Sequence, residues 1–280
     1  MTENSQIKIT VLECGTVNIR ASDAYIKDKR LFEDRITLPN NVFLLQHPVH
    51  GNILFDTGWA SDCREKLTKE LINLYNPQIT PEKTAKSQLS ALGIEPEDID
   101  LLVLTHLDAD HTSALCDFAG KAKRIVCSEL EYFYSCRNVY KRRESWDSWM
   151  PWADCIERIY MRSSVMGPVK RGFDIFGDDS VICIYTPGHT DGIFTTIISR
   201  SPSNRFAVHG DGIYGGKFCV IASDVAFSQK NIDDEVVTGA GFDRKQQLNA
   251  LRFLKELQLD INHEATLFSH SVPENSTITF

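Results

Sequence analysis

The stretch LLVLTHLDADH, residues 101–111, decides how the rest of the chain reads. Four apolar residues in a row predict a strand buried on both faces, in a sheet covered on either side. The run then gives way to side chains of ligand type: His106, Asp108, Asp110 and His111. Side chains alternate along an extended chain, so the first three can be aimed at one point. His111 directly after Asp110 requires a turn or a helix start there. Imidazoles and carboxylates this close together would desolvate and repel one another in a core, and a bound divalent cation relieves that cost. The bland alternative for this stretch alone is a solvated polar loop after a strand.

Upstream, residues 42–46 and 52–55 read as two strands joined by the turn around Pro48 and Gly51. The second strand ends in Asp56, Thr57 and Gly58. A carboxylate at a strand end is either a turn cap or a support for a metal ligand. Residues 7–12 predict a first strand, whereas residues 15–40 are mixed and charged and read as a long loop. Residues 61–75 have helical spacing, with Leu67, Leu71 and Leu74 on one side. Thr80 followed by Pro81 marks the start of a further helix that ends near Gly93.

Downstream, residues 124–127 predict a strand and 128–137 a helix. Aromatic residues crowd positions 132–168, including Tyr132, Tyr140, Trp146, Trp149, Trp152 and Tyr160. Packing onto the domain or a dimer contact is the reading for this segment; an aromatic wall over an apolar substrate group is the alternative. The strand VICIY at 181–185 runs into TPGHTDG, where Pro187 and Gly188 force a turn that leaves His189 at the strand's end. Residues 193–199 and 218–222 are strand-like, and the latter run ends at Ser223 and Asp224. Asp243 can cap a helix in which Leu248, Leu251, Leu254 and Leu257 recur. Residues 265–268 make a short strand ending at Ser269 and His270. Strands and helices are interspersed without repeat or linker, which predicts one α/β domain over residues 1–280, with an aromatic-rich insertion near 132–168.

Composition narrows the function. The net charge of −8 argues against nucleic acid as a partner. The one basic cluster, at Lys141, Arg142 and Arg143, reads as a solvated helix face. The start is polar with no signal core, and no stretch approaches the ~20 apolar residues of a membrane span. The 8 cysteines lack C-x-x-C spacing and read as reduced thiols, with the cytoplasm as the default location. A small-molecule substrate and a monomer or homodimer are the expected company.

One pattern recurs. Apolar runs finish on a metal-type ligand at His106, His189, Asp224 and His270, and ligands at the ends of neighbouring strands can converge on one sheet edge. The physical reading is a two-metal site with one shared carboxylate and a bridging water. His47, His50, His209 and His263 read as surface or turn residues.

The series H-x-D-x-D-H, then T-P-G-H-T, then an aspartate, then a late histidine resembles the metallo-β-lactamase fold superfamily. Within it, the chain is most similar to the N-acyl homoserine lactonases, the quorum-quenching lactonases, whose usual motif is H-x-H-x-D-H. The resemblance runs from about Phe43 to His270 and includes Asp56, Thr57 and Gly58, Asp224 followed by Val-Ala-Phe, and Ala240, Gly241, Phe242 and Asp243. It implies a four-layer αββα sandwich with metals at one edge between two sheets. It further implies that His106, Asp108 and His189 hold a first ion, that Asp110, His111 and His270 hold a second, and that Asp224 bridges them. Asp211, in the Gly-rich loop at 209–212, is a rival bridge, though a turn role suits it better.

The activity implied is a dinuclear metal-dependent hydrolase that opens a lactone or related ester by attack of a metal-bridging hydroxide, with Asp110 moving the proton. Two departures stand out. Asp108 replaces the motif's second histidine, which tolerates zinc but shifts the balance towards iron or manganese. Phe227 stands where similar lactonases place a tyrosine whose hydroxyl contacts the substrate carbonyl, and it cannot donate that bond. A diiron redox protein reducing oxygen or nitric oxide, and a thioester or phosphodiester hydrolase, remain alternatives on the same scaffold.

Overall fold

The computed structural model describes residues 6–25, 34–137, 147–164, 166–199, 216–239 and 241–280. Strand β4 (Ile99–Leu104) lies at the heart of a seven-stranded sheet. It is parallel both to β3 (Gly51–Phe55) and to β5 (Ile125–Ser128). Its side chains alternate as a twice-covered strand requires. Leu101 and Val103 point into one apolar cluster, and Leu102 and Leu104 into another. The sheet is completed by β1 (Lys8–Arg20), β2 (Arg35–His47), β6 (Ile156–Ile159) and β13 (Thr277–Thr279), in the order β13-β1-β2-β3-β4-β5-β6.

A second, six-stranded sheet has the order β12-β11-β10-β9-β8-β7. It comprises β7 (Arg162–Ser163), β8 (Arg171–Asp174), β9 (Val181–Tyr185), β10 (Phe194–Ser199), β11 (Phe218–Ser223) and β12 (His263–Phe268). The two sheets face each other across a core that includes Phe43, Phe55 and Val103 from one and Phe194, Ile198 and Ile221 from the other. Each outer face is covered by helix. On the first sheet this cover includes the helix Ala85–Ala91, which buries Leu89 against Leu54 and Leu102. On the second it is the helix Arg244–Gln258, which buries Leu251, Leu254 and Leu257. The layers are therefore α, β, β, α, as expected. Asp243 caps the latter helix by accepting from the backbone N–H groups of Lys245 and Gln246, at 2.9 and 3.0 Å.

Three expectations need correction. Thr80 and Pro81 open only the 3-10 turn Pro81–Lys83; Thr84 is extended and caps the helix Ala85–Ala91 by accepting from Ser87 N–H at 3.2 Å. Residues 15–20 and 35–40 are not loop: they extend β1 and β2 into a long antiparallel hairpin. Val17, Ile19, Ile36 and Leu38 do alternate with polar neighbours, but charged ends and a register shift between Glu13 and Thr16 break the period there. The shift falls at Gly15, whose φ is +86° and whose Cβ, if it had one, would stand 2.4 Å from the Gln78 carbonyl oxygen. The helix over 61–75 is also two short helices, Cys63–Lys66 and Lys69–Tyr75, because Thr68 leaves the helical conformation and caps the second by accepting from Leu71 N–H at 3.3 Å.

In the aromatic-rich segment, Trp149 is fully buried on the outer face of the first sheet and meets Tyr132 edge-on at 5.6 Å. Trp152 packs against the same cluster. These side chains pack away from the sheet edge described below. Tyr140, Trp146 and the basic cluster at 141–143 lie outside the described residues, as do His209, Asp211 and the loop at 201–204.

Candidate metal centre

At the C-terminal end of β4 the chain makes the turn that His111 requires. Thr105 to Asp108 are extended or irregular, and the short helix Ala109–Thr112 begins directly after Asp108. The other ligand-type residues arrive from the second sheet. His189 follows β9, Asp224 follows β11 and His270 follows β12. All seven are buried.

They fall into two groups. His106, Asp108 and His189 form one, and Asp110, His111, His270 and Asp224 the other. In the first, Asp108 Oδ2 lies 3.1 Å from His189 Nε2 and 3.6 Å from His106 Nε2. In the second, Asp110 Oδ2 lies 3.4 Å from His270 Nε2 and 3.7 Å from His111 Nε2. Asp224 stands between them. Its Oδ1 is 3.3 Å from both His111 Nε2 and His270 Nε2, while its Oδ2 is 3.7 Å from His189 Nε2 and 3.8 Å from His106 Nε2.

The imidazoles are oriented from behind. His111 Nδ1 meets Asp56 Oδ2 at 2.8 Å, and His270 Nδ1 meets the Pro39 carbonyl at 3.0 Å. His106 Nδ1 lies 3.2 Å from Thr105 Oγ1. Each contact occupies Nδ1 and turns Nε2 inward, the arrangement that prepares a histidine to ligate metal. Asp56 is thus a support, and it also accepts from Thr105 N–H and Thr105 Oγ1–H, both at 2.8 Å. Asp56 and Ser223 sit at strand ends with φ of +63° and +50°, sparsely populated for non-glycine residues, which redirects the chain into the site.

The electrostatics fit a cation. Burial opposes the charged form of His111, yet the carboxylates of Asp224, Asp110 and Asp56 hold its pKa well above the usual value. Burial opposes the charged form of His270 as well, and Asp224 and Asp110 raise its pKa to about 10. His106, by contrast, is pushed well below its ordinary value by burial and by the neighbouring His111. Burial works against the Asp224 carboxylate, but His270 and His111 hold it well below the carboxylate range. Protons on imidazoles therefore balance the carboxylates here, a task that divalent cations perform with better geometry. Buried polar atoms without a hydrogen-bond partner point to the same filling: His106 Nε2, His111 Nε2, Asp110 Oδ1 and Asp224 Oδ1. Nitrogen and carboxylate oxygen in this mixture suit zinc, iron or manganese.

The mouth of the site is apolar, lined by Val17, Ile19, Leu74, Tyr75 and Phe227, with Asp23 beside them. The Phe227 ring meets the His270 ring edge-on at 4.6 Å. The other described histidines lie apart from the seven. His50 pairs with Asp178 at 2.7 Å and stacks on Phe176, His47 Nδ1 accepts from the N–H groups of Val49 and His50, and His263 meets Thr266.

Sequence reading missed the residues that carry these loops. Asn40 Nδ2 donates to the Asp110 carbonyl at 2.8 Å. Asn41 Nδ2 donates to the carbonyls of Phe268 and Ser271, at 2.9 and 2.7 Å, on either side of His270. Glu131 is fully buried under the His106 and His189 loops. Only the pair of polar residues inside an otherwise apolar run at 38–45 could have hinted at the asparagines.

The chain is similar to known proteins in sequence and in fold. Residues 35–262 match the family model for the metallo-beta-lactamase superfamily. An N-acyl homoserine lactonase, AttM, of Agrobacterium fabrum is 23% identical over 209 residues, covering 72% of this chain and 74% of that protein. An N-acyl homoserine lactonase of Bacillus cereus is 23% identical over 247 residues, covering 85% and 84%. Among solved structures, an N-acyl homoserine lactone hydrolase with N-hexanoyl-L-homoserine at its catalytic metal centre superposes with a TM-score of 0.72 at 20% identity, covering 95% of this chain and 93% of that one. The dizinc quorum-quenching lactonase AidC superposes with a TM-score of 0.62 at 14% identity, covering 98% and 94%. With two facing sheets, a histidine–aspartate cluster at their edge and a family match over most of its length, the chain belongs to the metallo-beta-lactamase superfamily and is a metal-dependent hydrolase.

Proposed function

We propose that this protein opens a lactone or a related ester, and that it does so with two divalent cations held by His106, Asp108 and His189 on one side and Asp110, His111 and His270 on the other. The observation that carries the dinuclear reading is Asp224, whose two oxygens face the two groups separately. Asp224 is buried together with its chain neighbours Ser223 and Val225. Zinc is the first choice of metal. Asp108 brings hard oxygen character to the first group, which keeps iron and manganese in play. The lactone follows from the likeness to the lactonases and from the apolar mouth, which suits an acyl chain.

Cations held by these residues would supply Lewis-acid chemistry and an activated water at neutral pH. The chain's own groups do the rest. Asp110 turns Oδ2 towards His111 and His270 and leaves Oδ1 buried without a partner. That oxygen is placed to take a proton from the nucleophile and return it to the leaving alkoxide. Phe227 offers no donor to the substrate, so its role is to exclude water beside His270. The net charge of −8 keeps polyanions away, and no described helix is long and apolar enough to cross a membrane. A monomeric or homodimeric cytoplasmic enzyme acting on a small molecule completes the reading.

The test is metal analysis of the purified protein together with hydrolysis of a lactone panel on the same sample. Two zinc or manganese ions per chain with lactone opening, lost in His189→Ala, is the expected result. Two irons without lactone turnover would replace the hydrolytic reading with a redox one. Asp110→Asn is expected to lower kcat about 10²- to 10⁴-fold, the usual worth of general acid–base catalysis, with KM little changed. Gly188→Ala should also be harmful. Gly188 has φ +143°, and an added Cβ would stand 2.3 Å from the Gln247 backbone nitrogen. His189 would be displaced with its loop, at a cost of about 10²-fold in kcat/KM for a shift near 1 Å, with the circular dichroism spectrum unaltered.

A further inference from the structure

Glu131 has no place in the mechanism above, yet it is among the most enclosed charged groups in the protein, with no exposed surface. It lies on the helix Glu129–Arg137, which follows β5. Its Oε1 accepts from Leu107 N–H at 3.1 Å and from Ser135 Oγ–H at 3.3 Å. Its Oε2 accepts from Gly192 N–H at 3.1 Å and from Thr190 Oγ1–H. Leu107 sits between His106 and Asp108, and Thr190 directly follows His189. One carboxylate thus joins the two loops that carry all of the first group, although they come from different sheets.

The same helix start grips the second loop again. Ser128 Oγ–H donates to the Gly192 carbonyl at 2.6 Å and accepts from Glu131 N–H at 3.0 Å. The approach is so close that a Cβ on Gly192 would stand 1.8 Å from the Glu131 backbone nitrogen. The second group is held by other means. Asn40 holds the Asp110 carbonyl, Pro39 holds His270 Nδ1, and Asn41 holds the chain on both sides of His270. None of these bonds involves Glu131.

We propose that Glu131 is a positioning residue for the first ion alone, a clamp that sets the affinity of the His106–Asp108–His189 site independently of the Asp110–His111–His270 site. This rests on the dinuclear reading of the centre. Glu131→Gln tests it with little change of volume. Its amide NH₂ would face N–H and O–H donors that now meet a carboxylate oxygen, so the loops are pushed apart at the first site.

Metal-free protein is titrated with zinc by calorimetry and by competition with a chelator. The wild-type chain should bind two ions. Glu131→Gln should bind one of them about 10- to 100-fold more weakly, the range expected when a group behind a ligand is lost, with the other unchanged within about twofold. The weakened site is identified by combination. Glu131→Gln added to His189→Ala should cost nothing further, whereas added to His270→Ala it should remove the remaining tight ion.

If Glu131→Gln does not fold, Thr190→Val removes one bond to the same carboxylate and should weaken the same ion, while Thr190→Ser should not. Equal weakening of both ions, or no weakening in a folded variant, overturns the proposal and leaves the dinuclear reading standing. A wild-type chain that binds fewer than two ions overturns the dinuclear reading itself.

Discussion

In the Asp224→Ala protein, bound metal is expected to fall below one ion per chain and kcat/KM to drop by at least about 10⁴-fold, the scale of losing a metal-generated nucleophile and its Lewis acid together. Among the described residues, Asp224 is the carboxylate whose two oxygens lie towards histidines of both groups. Removing the carboxylate also leaves His111 and His270 without the partner that contributes most to holding them protonated. The protein should nevertheless fold. Asp224 lies just beyond β11, and the apolar contacts of Val220 and Ala222 within that strand stay intact. Asp224→Asn keeps one oxygen acceptor and is expected to retain a single ion. Elemental analysis of both variants after dialysis, with circular dichroism as the check on folding, decides the matter. Two ions retained by Asp224→Ala would remove the bridge from this account.

Asp56→Ala is expected to cost about 3–5 kcal/mol of stability even in metal-free protein, because three buried donors lose one acceptor at once. Those donors are Thr105 N–H, Thr105 Oγ1–H and His111 Nδ1–H, all at 2.8 Å from its oxygens. Thr105 Oγ1 in turn meets Ser223 Oγ at 2.7 Å, so the loss spreads to the turn before Asp224. The left-handed backbone at Asp56, with φ +63°, adds to the sensitivity, since alanine adopts that conformation less readily than aspartate. Urea unfolding of the metal-free variant, compared with metal-free wild type, separates this loss from any change in metal affinity. A difference below about 1 kcal/mol would mean that water replaces the carboxylate, contrary to the burial of all three donors.

The ligand series was legible because it is written locally. An apolar strand that stops on a residue of ligand type announces both its burial and its end, and LLVLTH, FCVIASD and ATLFSH all do so, two on a histidine and one on an aspartate. The layering was legible for the same reason: β4 is apolar at consecutive positions, and only a strand covered twice can afford that. What the sequence concealed was the machinery between segments. Glu131 reads as an ordinary helix residue, and its value lies in being near Leu107 and Thr190, which no local pattern records. Asn40 and Asn41 act on residues 70 and 227 or more positions away. The far end of the β1–β2 hairpin, within residues 15–40, reads as loop because its alternation is short beyond the bulge and ends in charge. The helix over 61–75 was read as continuous because leucine spacing survives a break at which Thr68 begins a new helix.

The seven site residues run from His106 to His270, and the strands between them are threaded across both sheets. Asn41 reaches Ser271 across 230 positions, and β1 pairs with β13 near the other end of the chain. The ligand-type side chains come from both sheets, so a metal bound among them would tie one sheet to the other. A loaded centre would have to come apart before the sheets could separate, and escape from the native state would slow even where the path into it is unaltered.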